Sequence, residues 1–368
     1  MNFLSNLQEP VHTDCRWYRG HLPCKPHKEH GVHCDGCKYY EPTVGDILII
    51  KLGAMGDVMR TTPLLRRLKK DFPHHRIHWL TDFPDAVPGS PWVDHIYKLD
   101  TRSMVQLEQI HFDRLFCLDK DPEAAAVATK LDAHKKYGYV IHNGVVHPFG
   151  IEQFSKQAAQ HKWLTGLFDD LSKANTLSYQ AEAFAICGYE FSGEEYIMPS
   201  PVAHGFDLPP LGKRIGLNTG CGGRWSTRLW PEEHWVSLIK LLQAKGYSPI
   251  LLGGPDEDER NKKLHAETNA VYYGTMPLNK FDSLLSEMDV VVTAVTMAMH
   301  LAIGRQRPLV LFNNIFNRHE FELYGRGEFI EPDPPCKCYY AQSCQYGGCM
   351  QNLAPERVTA AVERIIRK

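Results

Sequence analysis

The 368-residue chain has no strong excess of either charge, its formal net charge being −2, so it offers no global basic field to gather nucleic acid. No apolar run approaches the roughly 20 residues that cross a bilayer. The first residues, Met1 to Ser5, lack the charged and apolar regions of a signal peptide, and the expectation is a cytoplasmic protein without a transmembrane segment. A clean G-x-G-x-x-G at a strand-to-helix turn is missing, as is a Walker A lysine motif, which argues against a nicotinamide enzyme or a P-loop ATPase.

What is present is the balance of a globular protein, 43% hydrophobic and 23% charged, long enough for two domains with separate cores. One stretch organises it. Asp46 to Ile50 is an apolar run of strand length, Lys51-Leu52-Gly53-Ala54-Met55-Gly56 is a turn with two glycines, and Met59, Leu64, Leu65 and Leu68 continue at helical spacing. Asp57 stands where the helix begins. It either caps that helix, as aspartate does well, or serves as a carboxylate general base at a ligand site.

Further strands are expected at Arg76 to Leu80, Asp94 to Leu99 and Phe112 to Leu118, a helix at Asp121 to Leu131, strand and turn over Tyr137 to Val146, and a helix at Trp163 to Leu171. His142 and His147 are candidate polar groups for a cleft. A second α/β unit starts near residue 212, with a strand at Arg214 to Asn218, a glycine-rich turn from Thr219 to Arg224, a helix from Glu232 to Lys245, and strands at Ser248, Asp289 and Pro308. The expected fold is therefore α/β, with two Rossmann-like domains facing across a cleft and a ligand beyond the carboxyl ends of the strands. The expected segments are a Cys/His-rich extension over 1–42, an N-terminal Rossmann-like domain over 43–205, a C-terminal Rossmann-like domain over 206–353 and a helix over 354–368. That last helix carries Val358, Ala361, Val362, Ile365 and Ile366 on one face and is expected to pack across the domains.

Eleven cysteines are present, eight of them in two groups. Cys15, Cys24, Cys34 and Cys37 include a C-x-x-C knuckle with histidines between them, and Cys336, Cys338, Cys344 and Cys349 lie within 14 residues. In a reducing compartment such groups favour a structural zinc or iron over disulfides, free thiols being the alternative.

Ile49-Ile50-Lys51-Leu52-Gly53-Ala54-Met55-Gly56-Asp57-Val58 followed by Thr62-Pro63 resembles the N-terminal motif of glycosyltransferase family 9, the ADP-heptose:lipopolysaccharide heptosyltransferases. Gly222 to Pro231 is similar to that family's second-domain loop, Leu251 to Pro255 to its next strand end, and Met299-His300-Leu301-Ala302 to the end of its D-T-G-x-x-H-L-A motif. The resemblance implies a GT-B fold, an inverting transfer from a nucleotide-sugar donor, ADP-heptose or a related sugar, to a glycan or protein hydroxyl, and no catalytic cofactor. It implies Asp57 as the general base. Donor contacts are expected from Lys51, Gly56, Thr227, Arg228, Glu257, Thr296, Met297 and His300, with Arg228 where the family commonly has a diphosphate-contacting lysine.

The chain reads Val295-Thr296-Met297 where the family has Asp-Thr-Gly, which removes one polar contact and crowds the phosphate approach. This variant, Phe312 to Glu320 and the Cys-rich end resemble the autotransporter heptosyltransferase branch, whose members glycosylate serines of surface proteins and carry iron on a cysteine motif. Lipopolysaccharide core synthesis and peripheral membrane association are the corresponding expectations of role and place. The other readings are a sugar-nucleotide or glycan-binding protein that has lost turnover, and a metal-organised assembly scaffold.

Overall fold

The computed structural model describes residues 10–210, 212–222, 226–344, 346 and 348–368. Gly223 and Arg224 of the expected glycine-rich turn, and Trp225 after it, lie outside the described residues.

The first sheet contains β1 (Gly45–Ile50), β2 (His75–Leu80), β3 (His95–Tyr97), β4 (Phe112–Cys117), β5 (Ala133–His142) and β6 (Val145–Gly150), in the order β3-β2-β1-β4-β5-β6. All neighbours are parallel except β5 and β6. Because a parallel sheet is covered on both faces, its central strand must be apolar throughout. Ile47, Leu48, Ile49 and Ile50 are fully buried, as are Ile77, Trp79, Leu80, Leu115 and Phe116 beside them. β5 and β6 form a hairpin turned by Asn143 (φ 47°) and Gly144 (φ 76°), the left-handed pair that an Asn-Gly turn favours. His142 and His147 are exposed on this hairpin.

The Cys-rich extension is tied to the same sheet. Buried Arg16 donates through Nη1 to both carboxylate oxygens of Asp94 (2.8 and 2.9 Å) and through Nε to Glu41 (2.6 Å). Asp46, at the start of β1, accepts from Arg76 Nε at 2.8 Å and lies 2.8 Å from His78 Nε2.

The second sheet contains β7 (Arg214–Asn218), β8 (Ser248–Leu252), β9 (Val271–Tyr272), β10 (Val290–Ala294), β11 (Leu309–Phe312) and β12 (Gly327–Ile330), in the order β12-β11-β10-β7-β8-β9 and wholly parallel. Ile215, Leu217, Val290, Val292 and Val310 meet Trp235, Leu238, Ile239 and Leu242 of the helix Glu232–Ala244 in one core. The final helix, Pro355–Ile366, adds Val358, Ala361, Val362 and Ile365 to that core. Its apolar stripe is thus used on the second sheet's own core, rather than in bridging domains as expected.

One compact unit comprises 1–53, 64–159 and 186–188; the other comprises 54–63, 160–185 and 189–368. The turn that carries Asp57 therefore groups with the second sheet. The helix expected over Trp163 to Leu171 is two helices, Gln153–Thr165 and Asp169–Ala174, broken at Gly166, whose N–H closes a turn on Trp163. Among the described residues no helix is long and apolar enough to cross a membrane.

Gly138 of β5 has φ +99°, and a Cβ there would come within 1.8 Å of the Cys117 carbonyl oxygen. Gly138→Ala is expected to destabilise the fold by about 2 kcal/mol or more, read as a fall in the thermal unfolding midpoint.

Candidate functional site

In both sheets the strand order reverses beside the first strand of the unit, and ligands of doubly wound sheets sit at that switch point. In the second sheet the switch lies between β7 and β10. A cavity of about 410 Å³ opens there, lined on the β7 side by Asn218, Gly220, Cys221 and Gly222, and on the β10 side by Thr296, Met297 and Ala298. Gly253, Gly254 and Glu257 close the β8 side, and Met276, Leu278, Phe281 and Met55 supply an apolar wall. A polar floor under an apolar wall suits a nucleotide, whose ring wants the wall and whose ribose and phosphates want hydrogen bonds.

Three expected donor residues, Glu257, Thr296 and Met297, share this cavity. The Glu257 carboxylate accepts the Gly254 N–H at 2.8 Å and is packed so closely over Gly220 that a Cβ on that glycine would lie 1.8 Å from Oε1. Thr296 Oγ1 is 3.1 Å from Thr293 Oγ1 and accepts from Asn218 Nδ2 at 3.4 Å, which joins the two sides of the switch point.

Met55 opens the short helix Met55–Met59, and Asp57 follows two residues later. Its carboxylate, 33% exposed, accepts from Arg60 Nη2 at 2.8 Å. Gly56 lies against His300, and a Cβ there would be 2.3 Å from the imidazole Cδ2. The His300 ring is buried, with Nδ1 3.2 Å from the Tyr196 hydroxyl. Burial, with the positive charge of Arg60 second, pushes its pKa down to about 3, so the ring is neutral near neutrality.

Two expected donor contacts are engaged elsewhere. Lys51 is buried in the first unit and paired with the buried carboxylate of Asp119, which also accepts the Leu52 N–H. It braces the start of the loop rather than reaching a phosphate. Arg228 is buried and donates to the carbonyls of Cys221 and Val295, tying the loop after β7 to the loop after β10. Desolvation lowers its pKa, since carbonyl dipoles neutralise a guanidinium less well than a carboxylate would. Thr227 donates to the Ala341 carbonyl at 3.1 Å and so faces the Cys-rich loop.

Cys15, Cys24, Cys34 and Cys37 line one cavity of about 260 Å³ with His12, His27 and His33. At the other end, Cys338 Sγ lies 3.5 Å from Cys344 Sγ, and burial chiefly pushes the Cys336 thiol up to about 12. Among the described residues, however, no group of three or more His, Cys, Asp or Glu side chains is gathered as a metal ion requires. The zinc or iron expected on either cluster thus has no assembled ligand set among the described residues. Sequence reading passed over Arg60 and Tyr196. The signal for Arg60 was its place one turn after Asp57, where i and i+3 side chains meet.

Two 3-2-1-4-5 sheets, one with a polar cavity at its switch point, define a doubly wound α/β protein. The profile of glycosyltransferase family 9 (heptosyltransferase) matches residues 101–319, more than half of the sequence. The chain belongs to that family.

It is 22% identical over 233 residues to lipopolysaccharide heptosyltransferase 3 of Escherichia coli, covering 55% of this chain and 62% of that protein. The chain spans between 34% and 62% of the length of the curated relatives it matches. Its fold is similar to that of E. coli heptosyltransferase WaaC with ADP-2-deoxy-2-fluoro heptose (TM-score 0.58, 19% identity, 87% of this chain and 99% of that one). It is also similar to the iron-containing dodecameric glycosyltransferase TibC from enterotoxigenic E. coli (TM-score 0.52, 13% identity, 88% and 77%). The α/β fold with two sheets is that of the GT-B heptosyltransferases.

The lowered pKa of His300 fixes the sign of an acid effect. Between about pH 6.5, where an unfolded histidine titrates, and the folded value of about 3, the folded state binds fewer protons at this site. Stability is fully present above that window and is lost as pH falls through it. His300→Gln is expected to flatten the fall of the melting temperature between pH 6.5 and 4 relative to wild type. The half-buried His95, with a pKa of about 4 set chiefly by desolvation, adds the same slope to both proteins.

Proposed function

We propose that this chain is an inverting glycosyltransferase that moves a heptose or related sugar from an ADP-sugar to a hydroxyl of a glycan or protein acceptor, with Asp57 as general base. One observation carries the reading. The five-residue helix Met55–Met59 puts Met55 on the wall of the switch-point cavity and Asp57 two residues further on, so a nucleotide site and a carboxylate share one helical turn.

In the reaction, Asp57 takes the proton of the acceptor hydroxyl as its oxygen attacks the anomeric carbon. The bond to the diphosphate breaks on the opposite face, and the electron pair leaves on the nucleoside diphosphate. Negative charge grows on that leaving group. The neutral His300 and the N-terminal turn of the helix Met297–Gly304 are placed to meet it with N–H groups. Arg228 contributes by holding together the two loops that shape the cavity, and its charge adds positive potential there. Glu257 would receive ribose hydroxyls at the cavity edge, and Met276, Leu278 and Phe281 would flank the base.

Binding of ADP, UDP, GDP and CDP is compared by shift in melting temperature, because a ligand that binds only the folded state stabilises it by mass action. ADP is expected to give the largest shift. Asp57→Asn is expected to keep ADP affinity within about two-fold while lowering release of ADP from ADP-heptose, with a core oligosaccharide as acceptor, by about 10²-fold or more. Binding without release in the wild type would favour a sugar-nucleotide-binding protein.

A further inference from the structure

Arg60 follows Asp57 by three residues, and its surroundings are costly for a side chain with only a packing role. The side chain is 11% exposed and its guanidinium carbon lies over Tyr179, 3.8 Å from the ring centroid, and 6.0 Å from the centroid of Phe321. Nη2 reaches Asp57, whereas Nε and Nη1 are buried with no hydrogen-bond partner among the described residues. Methionine or leucine would fill the same space without stranding two N–H donors or burying a charge.

The bracket around it is closed. The Tyr179 hydroxyl is 3.0 Å from Thr61 Oγ1, which donates to the Asp57 carbonyl at 2.7 Å. From Asp57 the path runs through Thr61 to Tyr179, across the ring to Arg60, and back to the Asp57 carboxylate. Such a loop fixes both ends of one residue, its backbone and its side chain.

We infer that Arg60 is a positioning residue for Asp57: held over the ring of Tyr179, its guanidinium sets the orientation of the carboxylate that takes the acceptor's proton and keeps it ionised. This rests on the transferase reading above. The titratable groups that face the pair are Tyr179, Tyr196, His300, Glu320 and Tyr340. Burial raises the Tyr196 and Tyr340 pKa values, so both stay protonated near neutrality, and His300 stays neutral. Burial works to lower the Arg60 pKa, but Asp57 and the other groups outweigh it and leave it raised. Arg60 therefore remains cationic through the working range.

The test is the pH profile of ADP release from ADP-heptose, with a core oligosaccharide as acceptor, for wild type, Arg60→Met, Arg60→Lys and Tyr179→Leu. ADP affinity is measured by calorimetry alongside. Arg60→Met is expected to lower kcat by about 10- to 100-fold and to move the acid limb of kcat/KM up by about one pH unit, with the ADP Kd within about two-fold of wild type. Arg60→Lys returns the limb most of the way, and Tyr179→Leu shifts it in the same direction by less.

A lower melting temperature with an unmoved limb would mean packing alone and overturn the inference. So would a raised acceptor KM with an unmoved limb, or ADP binding weakened by about 10-fold or more, either of which marks a substrate contact. A wild type that binds ADP but releases none from ADP-heptose would sink the transferase reading and this inference with it. Wild-type turnover with unshifted variants sinks this one alone.

Discussion

A buried guanidinium has to be neutralised where it sits, and at Arg60 the carboxylate of Asp57 does so at 2.8 Å. Much of the local structure follows from that requirement. With a fixed cation nearby, the buried imidazole of His300 cannot also be charged, and its pKa falls to about 3 under burial and then the charge of Arg60. A neutral ring packs where a hydrated imidazolium would not, so His300 can press against the backbone of Gly56, at a distance that leaves no room for a Cβ. Gly56 in turn lets the helix Met55–Met59 start where it does, with Met55 on the cavity wall. The pair, the ring and the glycine are one arrangement.

The chain uses buried arginines in three ways, and their partners separate the roles. Arg16 meets two carboxylates, those of Asp94 and Glu41, and fastens the N-terminal extension to the first sheet. Burial lowers its pKa, yet the two carboxylates leave it raised. Arg60 meets one carboxylate and has two N–H groups without partners among the described residues, an expensive state that packing does not require. Arg228 donates to carbonyls alone, and burial lowers its pKa. A cation held by dipoles rather than by a carboxylate keeps more of its field available. Since it joins the loops that line the switch-point cavity, that field falls on the cavity.

Both sheets were legible because parallel strands buried on both faces read as unbroken apolar runs, from Ile47 to Ile50 and from Val290 to Val292. The helix start that carries Asp57 was legible because a strand, a glycine turn and a helical pattern follow one another without interruption. What a motif cannot give is the partner of each charged side chain. Lys51 has the position of a phosphate ligand, but its partner, Asp119, comes from the end of another strand 68 residues on. Arg228 matches a family cation in sequence, and only the return of the chain at Val295 reveals which carbonyls it holds. The hairpin of β5 and β6 had a local signal, Asn143-Gly144, that the pattern of apolar residues hid. The final helix was read correctly for its stripe and wrongly for its partner, because a stripe says that a face is buried and not against what.

The Cys-rich loop also has a part in this arrangement. Thr227 and Ser226, just ahead of Arg228, donate to the carbonyls of Ala341 and Gln342 (3.1 and 3.4 Å). Asn314 donates to the Thr227 carbonyl at 2.9 Å and lies 3.5 Å from Cys349 Sγ. On the loop's other side, Tyr340 donates to Glu320 at 2.5 Å, and Glu320 is among the charges felt by Arg60. The residues between Cys338 and Cys344 thus support the segment leading to Arg228 on one flank and reach the electrostatic surroundings of Asp57 on the other. A loop with little regular structure can hold such a position only if something shortens its conformational freedom. The approach of Cys338 Sγ to Cys344 Sγ and the ring contact of Tyr339 with Tyr340 contribute such a restraint.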